Sequence, residues 1–147
     1  MHRIRTSVLT LSLAICAAAA SAAHLTKDPL TQLPLPASTE SPIGGNDPMA
    51  MPSAKICQSQ YRGNYYSLSG TMLDSAIAWY VGALKGFRHI QSADHSKHMF
   101  TDAQRSLVVI VSGKAGGRAD SVAYEKFEPG LPEKALLGFL TRAIDCT

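Results

Sequence analysis

Leu73, Ile77, Tyr80 and Leu84 recur at i, i+4, i+7 and i+11, the spacing of one helical stripe. Ala76 and Ala83 widen the stripe, and Thr71 with Asp74 makes a capping-box-like pair ahead of it. Gly86 follows as a left-handed stop. The pattern predicts a helix over 72–85. Around it the periodicity turns to that of strands. Residues 61–68 are aromatic-rich, 87–92 and 97–101 are short β-type segments, and 106–112 hold the unbroken run Leu107, Val108, Val109, Ile110, Val111. A β-branched run that short predicts a central strand buried on both faces. Residues 121–127 alternate, Val122 and Tyr124 opposing Ala123, Glu125 and Phe127. After Pro129-Gly130, Pro132 suits the first position of a closing helix whose stripe is Leu136, Leu140 and Ala143, with Leu137 and Ile144. The strand connections are too short for parallel crossovers. The fold class predicted is α+β: an antiparallel meander of about four strands against two helices, a two-layer sandwich.

Upstream the pattern changes twice. Residues 23–53 carry Pro29, Pro34, Pro36, Pro42, Pro48 and Pro52 among Thr, Ser, Gly and Asn, a composition that predicts a flexible proline-rich linker and places the folded domain at 54–147. Before the linker, a basic start with Arg3 and Arg5, an apolar run and Ala20-Ser21-Ala22 have the layout of a signal peptide over 1–22. The run is short for a membrane span, so none is expected in the mature chain. Leu13-Ala14-Ile15-Cys16 has the outline of a lipid-attachment box, but Ile15 stands where a small residue is wanted, and cleavage after Ala22 or Ala23 is the better-matched route. A secreted or periplasmic location follows.

Charge and cysteines sharpen this reading. The chain is formally +3, and loss of Arg3 and Arg5 with the leader takes it to +1; binding of nucleic acid through bulk charge is not expected. Once Cys16 leaves, Cys57 and Cys146 bracket the domain. In an exported protein, such a pair predicts a disulfide between the two ends.

Candidate chemistry is sparse. His89, His95 and His98, with Asp94 between them, are of the types that ligate zinc or copper, although Lys97 puts a cation in their midst and a solvated hairpin tip accounts for the same residues. Trp79, Tyr61, Tyr65 and Tyr66 are candidates for stacking on a ligand, against an ordinary place in the core. Residues 113–118, Gly-Lys-Ala-Gly-Gly-Arg, are basic and glycine-rich, yet they join two predicted strands and lack the rest of a phosphate loop. Asp74 with Glu125 or Glu128 is a conceivable carboxylate pair, which a cap and strand positions explain as well. No catalytic motif and no cofactor are assigned. The leading expectation is a non-catalytic binding or accessory domain for an envelope protein or small ligand, working through an exposed sheet face; the alternative is copper or zinc handling by the three histidines.

Overall fold

The computed structural model describes residues 24–43, 47–68 and 70–147. The expected signal peptide over 1–22, with Cys16, lies outside the described residues. The strands are β1 (Thr39–Glu40), β2 (Met49–Ile56), β3 (Ser59–Leu68), β4 (Arg88–Gln91), β5 (Lys97–Thr101), β6 (Leu107–Gly113) and β7 (Ala119–Phe127); the helices are α1 (Leu73–Ala83) and α2 (Glu133–Thr141).

The unbroken run of β6 is explained by its place. Strand order is β1-β3-β7-β6-β5-β4, with β2 also on β3, and every pair is antiparallel. Alternate residues of a strand face opposite sides. Val109 and Val111 join the cluster that holds Leu73, Ala76, Tyr80 and Leu84 of the α1 segment, whereas Val108 and Ile110 join the cluster that holds Ala135 and Leu136 of α2. The α+β class therefore stands, with one helix against each side of the sheet. The described residues form seven strands where about four were expected. Strands β4 to β7 are the expected meander; β3 then pairs β7 from the far side, and α1 makes the connection across.

The additional strands come from the stretch expected to be a flexible linker. Strand β2 pairs β3 from Met49↔Tyr65 to Ile56↔Ser59, and Pro52 sits in the irregularity between Met51 and Ala54. That is where a strand tolerates proline: at an outer edge, in a bulge. Cys57 and Gln58 close the hairpin, both at positive φ (49° and 68°), the requirement of a two-residue I′ turn. Further upstream, Asp28 is fully buried. Its Oδ2 accepts hydrogen bonds from the Thr31 amide and hydroxyl (2.7 and 2.8 Å), and its Oδ1 accepts from Asn64 Nδ2 and the Tyr66 hydroxyl (2.8 and 2.7 Å). Tyr124 donates to the Pro34 carbonyl at 2.7 Å, and the hydroxyls of Tyr80 and Tyr124 are 2.8 Å apart. Leu35 is buried in the α1 cluster. Prolines remove backbone donors, and side-chain hydrogen bonds from the sheet supply the anchoring instead. Within the stretch expected to be a linker, Leu35 joins the core and Thr39–Glu40 and Met49–Ile56 join the sheet.

Both helices end as local chemistry directs. The cap position of α1 is Met72, without a side-chain cap bond; the Leu73 amide donates to the Gly117 carbonyl at 2.9 Å and the Ala119 amide to the Thr71 carbonyl at 2.9 Å. The expected capping box is replaced by this docking against the glycine loop. Gly86 has φ +83°, as a stop requires. Helix α2 follows Pro132 and ends at Arg142 in the left-handed region, so Ala143 and Ile144 fall beyond the expected stripe. The tail folds back over Gly138, where a Cβ would lie 2.7 Å from the Ala143 carbonyl oxygen. That return brings Cys146 to the β2–β3 turn, where it forms the disulfide with Cys57 across 89 residues. Closing such a loop is worth on the order of 4 kcal/mol through the entropy of the unfolded chain.

Candidate functional site

Of the three candidate metal ligands, the sheet brings two together. His89 and His98 lie on neighbouring strands, Nε2 of the first 3.0 Å from Nδ1 of the second. His98 Nε2 is 3.2 Å from the His95 carbonyl oxygen, which only accepts. Neutral His98 therefore carries its proton on Nε2 and accepts from His89 Nε2–H through Nδ1. The facing nitrogens are spent on each other. His95 contributes its carbonyl to this arrangement and has φ +57° in the turn. Asp94 accepts from the Ser92 hydroxyl and from the Ser96 amide and hydroxyl, bonds that hold its carboxyl well below the ordinary range. Burial, then the neighbouring His98, holds His89 below its usual value. Among the described residues no group of three or more His, Cys, Asp or Glu is arranged to hold a metal ion. His89 and His98 form a stacked pair, with His89 also lying flat on Phe100 at 4.5 Å between ring centroids.

The aromatic candidates are dispersed. Tyr66 is 2% exposed and serves the Asp28 network. Tyr61 stacks on Phe127 at 5.0 Å and meets the edge of Phe139 from α2. Trp79 projects from α1, edge-on to Tyr80 and 37% exposed. Tyr65 stays half-buried on the α2 side of the sheet. These four do not form one surface: Tyr66 faces the other side of the sheet from Tyr61 and Tyr65, and Trp79 stands on α1. The residues 113–118 make a hairpin turn whose Gly117 amide donates to the Lys114 carbonyl. Asp74 is exposed at the start of α1, Glu128 is exposed just past β7, and Glu125 is buried on the α2 side; they form no carboxylate pair.

What the tertiary structure assembles is a set of cross-strand rows. On the α2 side, Met49, Tyr65, Ala123, Ile110, Met99 and Ile90 are successive register partners across six strands. Beside that row runs a polar one, Glu40, Ser67, Ser121, Ser112 and Lys97. Helix α2 covers the other end of the same face, over Val108, Phe127 and Met99. Met99 is fully buried, but Met49, Tyr65, Ala123, Ile110 and Ile90 keep part of their surface in solvent. Among the described residues, the three serine hydroxyls of the polar row make no side-chain hydrogen bond. A partly open apolar band, bordered by the half-buried Ser67 and Ser112 with Ser121 buried between them, thus lies beside a helix only nine residues long.

Between the open band and α2 lies Glu125, the register partner of Gly63 and Val108. It is 5% exposed, and its Oε2 has no hydrogen-bond partner. Burial pushes its carboxyl up to about 7. Gly63 leaves room for the Met51 side chain, whose Cε occupies the place a Cβ would take, and Glu125 Cγ lies 3.3 Å from that place. Neither the serine row nor the isolation of Glu125 has a local sequence signal: the serines are far apart in the chain, and β7 alternation alone assigns Glu125 to a face without showing what covers it.

The chain matches no protein family, no curated protein and no solved structure with which it was compared.

Proposed function

We propose that the chain is a secreted or periplasmic, non-catalytic binding domain whose ligand or envelope-protein partner seats on the open half of the α2 side of the sheet. One observation carries this reading: the continuous band Met49–Tyr65–Ala123–Ile110, with Ile90 beyond the buried Met99, beside Ser67, Ser121 and Ser112. Apolar contact area bordered by hydroxyl donors and acceptors is what a recognition surface uses. The Cys57–Cys146 disulfide fits an oxidising compartment, and no helix among the described residues is long and apolar enough to cross a membrane.

The test is site-specific photo-crosslinking in the cells that make the protein, with the reactive residue at position 65 or, as control, at position 79. The expected result is a discrete adduct from position 65 that Ala123→Glu abolishes while the thermal midpoint stays near that of the parent. Equal labelling from both positions, or an adduct indifferent to Ala123→Glu, would refute this surface.

A further inference from the structure

A cleft of about 330 Å³ is lined by Gln60, Tyr61, Arg62, Lys126, Phe127 and Glu128; Tyr61 and Phe127 turn their side chains to the α2 cluster, so strand alternation leaves Gln60, Arg62, Lys126 and Glu128 to the opposite side of the sheet. Register places Arg62 directly across from Lys126, and Lys55 directly across from Gln60. All four, with Glu128, are exposed, and their positions share the sheet face of Tyr66 and Tyr124. Like charges directly opposite on neighbouring strands repel and destabilise the pair. The usual relief is a carboxylate bridging the two. Among the described residues no ion pair reaches Arg62, Lys126 or Lys55; the two bridges formed are Arg88–Glu133 and Lys134–Asp145. Two cations, Arg62 and Lys126, therefore line the concavity with Glu128, and Lys55 stands one strand away across from Gln60.

We propose that this cleft is an anion-binding site, distinct from the surface above, that takes the phosphate group of a small molecule. The guanidinium of Arg62 presents paired donors suited to a tetrahedral oxyanion. The Lys126 ammonium supplies a second charge from the next strand, and the Gln60 amide a neutral donor. Glu128 tunes the site: it repels a bare dianion and favours a ligand that also carries a hydroxyl or ammonium group. The cleft volume lies at the small end of the range for small-molecule sites.

The test is a titration of the folded, disulfide-intact protein with inorganic phosphate at constant ionic strength, followed by amide NMR. The expected result is saturable shifts confined to residues 55, 60–62 and 126–128, with a Kd of roughly 1 mM or tighter. Arg62→Gln and Lys126→Gln should each weaken binding about tenfold, and Glu128→Gln should tighten it. Because these side chains are exposed and two of the substitutions remove a like-charge contact, the variants should keep their thermal midpoints. Glycerol phosphate should bind in the same place. Shifts that never saturate, or that spread equally to Lys85, Lys114 and Arg118, would show an ion atmosphere only and overturn the proposal. So would association with phosphatidylglycerol vesicles without saturable binding of either soluble phosphate. The site lies on the other side of the sheet from position 65, so either reading can fail without the other.

Discussion

Replacing Glu125 by Gln isolates the cost of a buried carboxylate whose Oε2 has no hydrogen-bond partner. In the folded protein this group titrates near 7 against an ordinary value of 4.5, with burial as the cause. Between these values the native state holds a proton that the unfolded chain has released, so stability falls as pH rises. The penalty is absent below about 4.5 and complete above about 7. At 1.36 kcal/mol per pKa unit, it amounts to about 3 kcal/mol. Direct comparison of pH values for the parent alone is insufficient, because His89 acts with the opposite sign: a histidine held below its usual value costs stability as the pH falls. The difference between parent and Glu125→Gln cancels that contribution. Urea unfolding, followed by circular dichroism at intervals from pH 4.5 to 8.5, gives this difference. The parent should lose about 3 kcal/mol relative to the variant across the interval. The constant offset at low pH reports how well the Gln amide fits, and does not enter the argument. A difference that is flat with pH would mean that Glu125 reaches solvent or a partner when folded, and the reasoning from its burial would be wrong.

Three further outcomes follow from the packing. Replacing Cys57 and Cys146 together by Ser should lower unfolding free energy by about 4 kcal/mol, read as a lower urea midpoint; no change on reduction would mean the disulfide does not constrain the chain. Asp28→Ala leaves the donors of Thr31, Asn64 and Tyr66 facing a buried gap and should cost about 3 kcal/mol. It should also make residues 24–40 the first cut in limited proteolysis, and unchanged protection there would contradict the anchoring role. Gly113→Ala puts a Cβ 2.5 Å from the Arg118 carbonyl oxygen, so backbone must move, at a cost of about 2 kcal/mol; thermal melts should show that loss, and a neutral result would show that the 113–118 hairpin yields freely.

Local pattern was sufficient for elements whose surroundings are uniform along their length. The β-branched run of β6 announced a strand buried on both sides, and the i, i+4, i+7 spacing around Tyr80 announced the helix that buries it. Cys57 and Cys146 were recognisable as partners because the third cysteine, Cys16, falls in the expected leader. The proline density of residues 24–53 reports missing backbone donors, and reveals nothing about distant side chains that can anchor Asp28 and Pro34. Asn64, Tyr66 and Tyr124 do so from positions scattered through the chain.

Periodicity, turn chemistry and cysteine count are short-range properties, and they were enough for the α+β class, the central strand and the two helices. Which side chains share a surface is a matter of register between strands distant in the chain. A shift of one residue exchanges the two faces, so the row Ser67–Ser121–Ser112, the facing cations Arg62 and Lys126, and the enclosure of Glu125 exist only once β7 has paired with β3. For the same reason the four aromatic candidates separated. Tyr65 and Tyr66 are neighbours in sequence, yet the pleat turns one to the open band and the other into the Asp28 network.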